Sequence, residues 1–215
     1  MAIDVSKMQA KLKALTEKTS KKATVFWSPK EGVTHNIRVL PSPDGDPFKE
    51  YWFHYELSKT GGFLCPKKNF GEQCAACDFA SKLYKEKTEE SAKMAKKFNP
   101  RQRFFSAIVV RGEESEGAKV WGYGKNAYQD LIGYVLNPDY EDITDASGGR
   151  DLSIVANKAK GQTYAVPKIT PRVKSTKLCD SEQQCKEIMD SVPDLNTVHT
   201  RKTSQEVMSI LDEYL

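Results

Sequence analysis

The sequence predicts a mainly β fold with helical inserts, an α+β class in which a five-stranded barrel carries a cysteine-rich insert. Three observations favour this class. Short segments rich in aromatic and β-branched residues recur between turn residues. A glycine- and cysteine-rich stretch separates two groups of these segments. Apolar residues make up 39% of the 215 positions, which suffices for a packed core.

The N-terminal region, residues 1–22, is predicted to be a short helix followed by a basic arm. Val5, Met8 and Leu12 recur at helical spacing. The segment KTSKK at 18–22 follows without an apolar residue, so we expect the folded body to begin at residue 23.

A core with strands is predicted over residues 23–177. Its strand-like segments are ATVFW, HNIRVL, KEYWFHY, FFSAIVV, AKVWGYG, LSIVA and TYAVPKI, which begin at 23, 35, 49, 104, 118, 152 and 163. A helix is expected over 126–136 and a C-terminal helical segment over 178–215. Length and strand spacing favour a five-stranded barrel of the oligonucleotide-binding (OB) type over a sandwich.

The insert is predicted to occupy about residues 54–98. Glycines and a proline exclude a helix of useful length before Cys77. One helix is then expected from Asp78 to Phe98, where an Asn-Pro pair ends it.

The net charge of +4 is modest, but it is unevenly distributed. One basic run extends from Lys158 to Lys177 without an acidic residue, and a second extends from Lys93 to Arg103. Such stretches indicate a positively charged surface that binds a polyanion. The alternative is that they are solvent-exposed faces of a helix and a hairpin, which have the same composition.

No apolar run has the length of a signal peptide or of a membrane span, for which about 20 residues are needed. We therefore expect a protein that stays in the compartment where it is made. In a reducing compartment, cysteines with this spacing bind metals more often than they form disulfides.

Four residues of the insert have the types and spacing of a structural metal site. His54, Cys65, Cys74 and Cys77 form a His-x10-Cys-x8-Cys-x2-Cys pattern, and Cys₃His is a standard ligand set for tetrahedral Zn²⁺. We predict one structural zinc ion. His35, Cys179, Cys185 and His199 are the substitutes if one of the four is not a ligand.

A catalytic interpretation of the same residues is a zinc nucleobase deaminase. His54-Tyr55-Glu56 followed by Cys74-x-x-Cys77 imitates its signature, in which a glutamate transfers protons and zinc activates water. Gln73 replaces the signature proline, and Cys65 would fill the position that a catalytic zinc leaves open for water. With no phosphate-binding loop or nucleophile elbow in the sequence, we predict a protein that is not an enzyme.

Aromatic and basic residues alternate in three places, as in proteins that stack unpaired bases and neutralise phosphates. Packing in a barrel core is the alternative for about half of them. The candidates are Arg101, Arg103, Phe104, Phe105, Trp121, Tyr123, Lys125, Lys158, Lys160 and Tyr164.

The order of these features resembles the single-stranded DNA-binding, helix-destabilising protein family of T-even-like bacteriophages. The matching parts are HNIRVLPS at 35–42, the histidine and cysteine set, FFSAIVV preceded by its basic segment, and EGAKVWGYGKNAYQDLI at 116–132. The resemblance covers roughly residues 23–170.

The resemblance implies an OB barrel whose zinc subdomain shapes a cleft for single-stranded DNA. It places the zinc ligands on His54, Cys65, Cys74 and Cys77, and it adds Arg38 and Tyr84 to the cleft. It also implies contact between neighbouring copies through a basic arm, which corresponds in composition to Lys18, Lys21 and Lys22.

The implied role is to coat unpaired strands during replication, recombination and repair in the cytoplasm of an infected bacterium. Replication and recombination proteins are the possible further partners. The opposing hypothesis is a zinc-stabilised protein-interaction module of a replication or transcription complex, which would not bind strands.

Overall fold

The computed structural model describes residues 25–58, 61–162 and 164–215. The arm residues Lys18, Lys21 and Lys22 lie outside this part of the chain. The described residues form a mixed α+β fold with eight strands and six α-helices, which confirms the predicted α+β class. The helices contain more residues than the strands, so the fold is mixed and not mainly β.

The secondary-structure elements have the following bounds. The strands are β1 (Phe26–Trp27), β2 (Thr34–Val39), β3 (Lys49–His54), β4 (Phe63–Leu64), β5 (Arg101–Val110), β6 (Lys119–Tyr123), β7 (Arg150–Asn157) and β8 (Val166–Ser175). The helices are α1 (Pro66–Phe70), α2 (Ala75–Lys85), α3 (Glu89–Phe98), α4 (Lys125–Leu136), α5 (Glu182–Asp190) and α6 (Ser204–Tyr214).

The chain divides into two compact units. The first unit contains the described residues up to Pro47, Ser106–Gly122 and Asp130–Pro193. The second unit contains Phe48–Phe105, Tyr123–Gln129 and Asp194–Leu215.

The sheet of the first unit has the strand order β1-β6-β5-β2-β7-β8. β2 pairs antiparallel with β5 and β7, and β8 pairs antiparallel with β7. β8 contains Pro167 and Pro171, which lack an amide donor and are tolerated at the edge of a sheet. Along the described residues this strand path has two ends, and one isolated parallel bridge joins Glu31 to Ala156.

The core of the first unit is formed by alternate residues of the central strands. Leu152, Ile154 and Ala156 are buried along β7, with less buried residues between them. A second cluster lies under α5 and includes Leu40, Val109, Ala118, Leu178 and Ile188. Cys179 belongs to this cluster and is joined to Cys185 by a disulfide. These two cysteines are therefore not available as substitute metal ligands.

The second unit combines a small strand group with helices. β3 pairs antiparallel with β4 and with the first half of β5. The prediction of one helix from Asp78 to Phe98 is wrong, because α2 ends at Lys85 and α3 begins at Glu89. Lys87 has a left-handed φ of 56°, and the hydroxyl of Thr88 accepts the Ser91 amide as the cap of α3.

Within the described residues, no helix combines the length and apolar character needed to span a bilayer.

Candidate metal centre and nucleic-acid interface

Three elements of the second unit bring the predicted metal ligands together. His54 is the last residue of β3, Cys65 caps the N-terminus of α1, and Cys74 precedes α2 with Cys77 in its first turn. A thiolate at a helix N-terminus is stabilised by the free amide groups there. The Lys68 amide donates to Sγ of Cys65 over 3.4 Å, which shows this arrangement at α1.

The distances between the ligand atoms fit a tetrahedral ion. Nε2 of His54 lies 3.4 Å from Sγ of Cys74 and 3.7 Å from Sγ of Cys77. The Sγ atoms of Cys65 and Cys77 are 3.5 Å apart, and all four ligand atoms lie within 4.8 Å of one another. Tetrahedral zinc with such ligands requires separations of about 3.5 to 3.8 Å. The cluster could therefore hold one metal ion.

The cluster lies in the core of the second unit. His54, Cys65 and Cys74 are fully buried, and Cys77 is partly buried. Apolar side chains from the helices, from β4 and from the turn after β3 pack around these residues, namely Leu57, Phe63, Leu83, Phe98, Val207 and Leu211. Nδ1 of His54 is buried without a hydrogen-bond partner among the described residues, which leaves Nε2 as the nitrogen facing the thiols.

The side chain of Asn69 fixes the position of Cys65 relative to β3. Its Nδ2 donates to the carbonyls of Trp52 and Cys65 over 2.8 and 2.9 Å, and its Oδ1 accepts the Trp52 amide over 2.9 Å. We did not predict this residue, because nothing in the sequence links Asn69 to a strand residue 17 positions earlier.

The electrostatics of the cluster favour unequal protonation of its members. Burial opposes the charged form of His54, but hydrogen bonds and charge interactions with Cys65 and Cys74 outweigh it and raise the pKa of His54 to about 9. Hydrogen bonds with Cys65 and Cys77 lower the pKa of the Cys74 thiol, whereas those with Cys65 and Cys74 raise the pKa of Cys77. A divalent cation would stabilise all the thiolates together.

Four protein ligands saturate a tetrahedral ion, so the arrangement supports a structural role. Glu56, the acid of the deaminase hypothesis, forms an ion pair with Arg101 instead of joining the ligands. The geometry does not provide the open metal position beside a carboxylate that deamination requires.

The predicted nucleic-acid residues fall into buried and exposed sets. Arg38, Phe104, Phe105, Trp121 and Tyr123 are buried. The exposed set consists of Tyr84, Arg101, Lys125, Lys158, Lys160 and Tyr164, and Arg103 is half-buried.

The buried aromatic residues pack against other rings. In the second unit, Phe104 stacks on Tyr128 with ring centroids 3.8 Å apart, and Tyr123 lies 6.3 Å from Phe104. In the first unit, Trp121 contacts Trp27 edge to face. These contacts match the core alternative that the sequence left open.

Arg38, which the resemblance adds to a DNA cleft, is buried in the core of the first unit. Its Nε donates to Oδ1 of Asp151 over 3.0 Å, and its Nη atoms donate to the carbonyls of Asp145, Gly149 and Thr176. Burial lowers the pKa of Arg38, and the negative charge of Asp151 opposes this shift. A guanidinium that is completely buried in this way is not accessible to a phosphate.

Tyr84 on α2 is an exposed aromatic residue of the second unit. It is 42% exposed, and its hydroxyl accepts a 2.6 Å hydrogen bond from Nδ2 of Asn99. This bond orients the ring while leaving much of it accessible.

The C-terminal helix α6 completes the core around the histidine–cysteine cluster. Thr203 and Glu206 form a capping box at its start, and the Ser204 hydroxyl donates to the Gln73 carbonyl next to Cys74. The T-x-x-E pattern before an apolar run was a readable helix signal. The sequence did not indicate that α6 packs against the cysteines.

Fold and site together define a mixed α+β protein with a histidine–cysteine cluster that could hold one metal ion, and with exposed basic and aromatic side chains. A family model described as gp32 DNA binding protein like matches residues 31–214, so the chain belongs to this family. This match confirms the predicted resemblance. The family is a non-enzymatic DNA-binding family. A comparison with curated proteins gives no match.

Proposed function

We propose that this protein binds single-stranded DNA, holds one structural zinc ion, and coats unpaired strands during replication, recombination and repair. The observation that carries the proposal is the family match over residues 31–214, which includes the complete cluster of His54, Cys65, Cys74 and Cys77. In this proposal the metal maintains the fold of the second unit and takes no part in chemistry.

The ligand chemistry supports zinc as the metal. Three thiolates and one imidazole are typical of structural Zn²⁺ sites. Calcium and magnesium prefer oxygen ligands, and the cluster offers none.

The strand arrangement of the first unit supports a five-stranded OB barrel. β1 pairs with β6, and Glu31, just beyond β1, bridges to Ala156 of β7. In the strand order β1-β6-β5-β2-β7, the bridge between Glu31 and Ala156 would connect the fifth strand to the segment that follows the first. Such a connection is what closure of a five-stranded barrel requires. We retain residues 23–177 as this core, with the zinc subdomain at about 54–98 and the C-terminal helical segment at 178–215.

Exposed side chains supply the two kinds of contact that bind single-stranded DNA, which are base stacking and neutralisation of phosphates. Tyr84 and Tyr164 offer accessible ring faces, and base stacking on such a ring contributes about 1 to 3 kcal/mol per base. Phosphates would be neutralised by the cations of the exposed and half-buried set, namely Arg101, Arg103, Lys125, Lys158 and Lys160.

Contact between neighbouring copies on DNA belongs to the same proposal. We assign it to the basic arm with Lys18, Lys21 and Lys22, on composition alone. Replication and recombination proteins are the further partners that this role calls for, and the cytoplasm of the infected bacterium is where it would be carried out.

A fluorescence titration tests the proposal directly. Oligo-dT and a duplex of equal length are added to the protein at two salt concentrations, and zinc is measured on the same sample. We expect tight binding to oligo-dT that weakens steeply as salt rises, weaker binding to the duplex, and about one zinc per chain. Equal binding to both nucleic acids, or none, would overturn the proposed function.

A further inference from the structure

The first unit contains a basic pocket that the proposed DNA surface does not use. Its volume is about 720 Å³, and it lies between β2, β7 and the end of β8. The polar and charged side chains that line it are Asn36, Arg111, Asp151, Arg172, Lys174, Thr176 and Lys177.

An irregularity in β8 forms one wall of this pocket. Leu152 pairs with Pro171 and Arg150 pairs with Ser175, so two steps along β7 correspond to four steps along β8. The extra residues form a bulge that takes Arg172 and Lys174 out of the regular ladder. Bulges at sheet edges frequently redirect side chains towards a functional surface.

The charge of the pocket is strongly positive. Arg111 is compensated, because its Nη2 lies 2.8 Å from Oδ1 of Asp151. Arg172, Lys174 and Lys177 are exposed and form no ion pair with any described residue. Three cations without counter-charge on one short segment repel each other, and this repulsion is relieved when a polyanion binds.

We propose that this pocket is a second binding site for the phosphates of single-stranded DNA. The inference rests on the proposed function and extends it to a longer strand. The run from Lys158 to Lys177 has no acidic residue, so cations continue along the β7–β8 hairpin from its turn to the pocket. Nucleic-acid phosphates would meet Arg172, Lys174 and Lys177, and Pro171 and Val173 supply apolar surface beside them.

Two other roles predict different behaviour. Lysines on an edge strand also prevent pairing between sheets of different molecules, and their loss would then cause aggregation without changing DNA binding. A site for an acidic peptide would bind poly-glutamate in preference to DNA.

The test compares two variants that each lose three positive charges. Arg172→Ser/Lys174→Ser/Lys177→Ser removes the pocket cations, and Lys30→Ser/Lys82→Ser/Lys186→Ser removes exposed lysines elsewhere. Binding of short and long oligo-dT is measured over a range of salt concentrations. For the pocket variant we expect the salt slope with long oligo-dT to fall by about 2, with about tenfold weaker binding at low salt. Binding of an oligonucleotide too short to extend from Lys158 and Lys160 at the hairpin turn to the pocket should change little.

The control variant should keep a slope close to that of the unchanged protein. Circular dichroism verifies that each variant is folded, and the single change Lys174→Glu provides a second test, with an expected loss of affinity for long oligo-dT. Equal slopes for the pocket and control variants, or preferential binding of poly-glutamate, would overturn the inference. An unchanged protein that binds no oligo-dT would instead refute the proposed function.

Discussion

Nε of Arg38 donates a hydrogen bond to Oδ1 of Asp151 over 3.0 Å, and the guanidinium is completely buried. Arg111 contacts the same carboxylate oxygen through Nε and Nη2. One carboxylate is therefore shared by two arginines, one of which has no access to water.

Asp151→Asn is expected to lower the free energy of unfolding by about 3 kcal/mol, because it removes the carboxylate that contacts the buried Arg38 cation. Urea unfolding measures the effect. Asp180→Asn, an exposed change in the same unit, should alter it by less than about 0.5 kcal/mol. Equal effects of the two changes would show that the buried ion pair contributes little.

Cys77→Ser is expected to release the metal and to loosen the second unit, because a cluster of this kind depends on its ion to stay folded. Zinc content and hydrogen exchange in α1 and α2 are the measurements. Cys185→Ser, which alters a cysteine of the first unit, should retain the zinc. A Cys77→Ser protein with full zinc content and native exchange would exclude Cys77 as a ligand.

Glu56→Gln is expected to strengthen binding of oligo-dT about two- to fivefold at low salt. The ion pair with Glu56 occupies Arg101, and an exposed pair of this kind contributes at most about 1 kcal/mol. Glu213→Gln makes the same change of net charge at another exposed site and should have a smaller effect. If both variants bind equally well, Arg101 does not contact the strand.

Tyr84→Ala is expected to weaken binding of oligo-dT by about 1 to 3 kcal/mol, because it removes an accessible stacking surface. Tyr84→Phe keeps the ring and should retain most of the affinity. Tyr123→Ala should instead reduce stability by about 3 to 5 kcal/mol, because its ring is buried against Phe104. Unchanged binding by Tyr84→Ala would place Tyr84 outside the DNA surface.

Local signals in the sequence were enough to predict most elements of the fold. Aromatic and β-branched segments correspond to strands near the predicted positions, and the predicted helix at 126–136 corresponds to α4. The break between α2 and α3 was missed, because the charged and apolar pattern continues across it while Thr88 offers a competing cap.

Contacts between residues distant in sequence could not be predicted. The partner of Arg38 lies 113 positions away, and an arginine between apolar strand residues reads equally well as a surface cation. The burial of the aromatic residues could not be predicted for a similar reason. Alternation along a strand separates its residues into two faces, but it does not indicate which face is buried in the core. The histidine–cysteine cluster was predictable because metal binding restricts both residue type and spacing.

The capping box of α6 and the packing of Val207 and Leu211 against the cysteine cluster have a consequence for biosynthesis. The second unit draws on segments that leave the ribosome at widely separated times, and its last component is complete only after Tyr214 has been translated. While the intervening residues are made, the thiols of the cluster lack the cover that Val207 and Leu211 provide. Metal capture before α6 docks would protect these thiols from oxidation and give the late-arriving helix an ordered surface on which to fold.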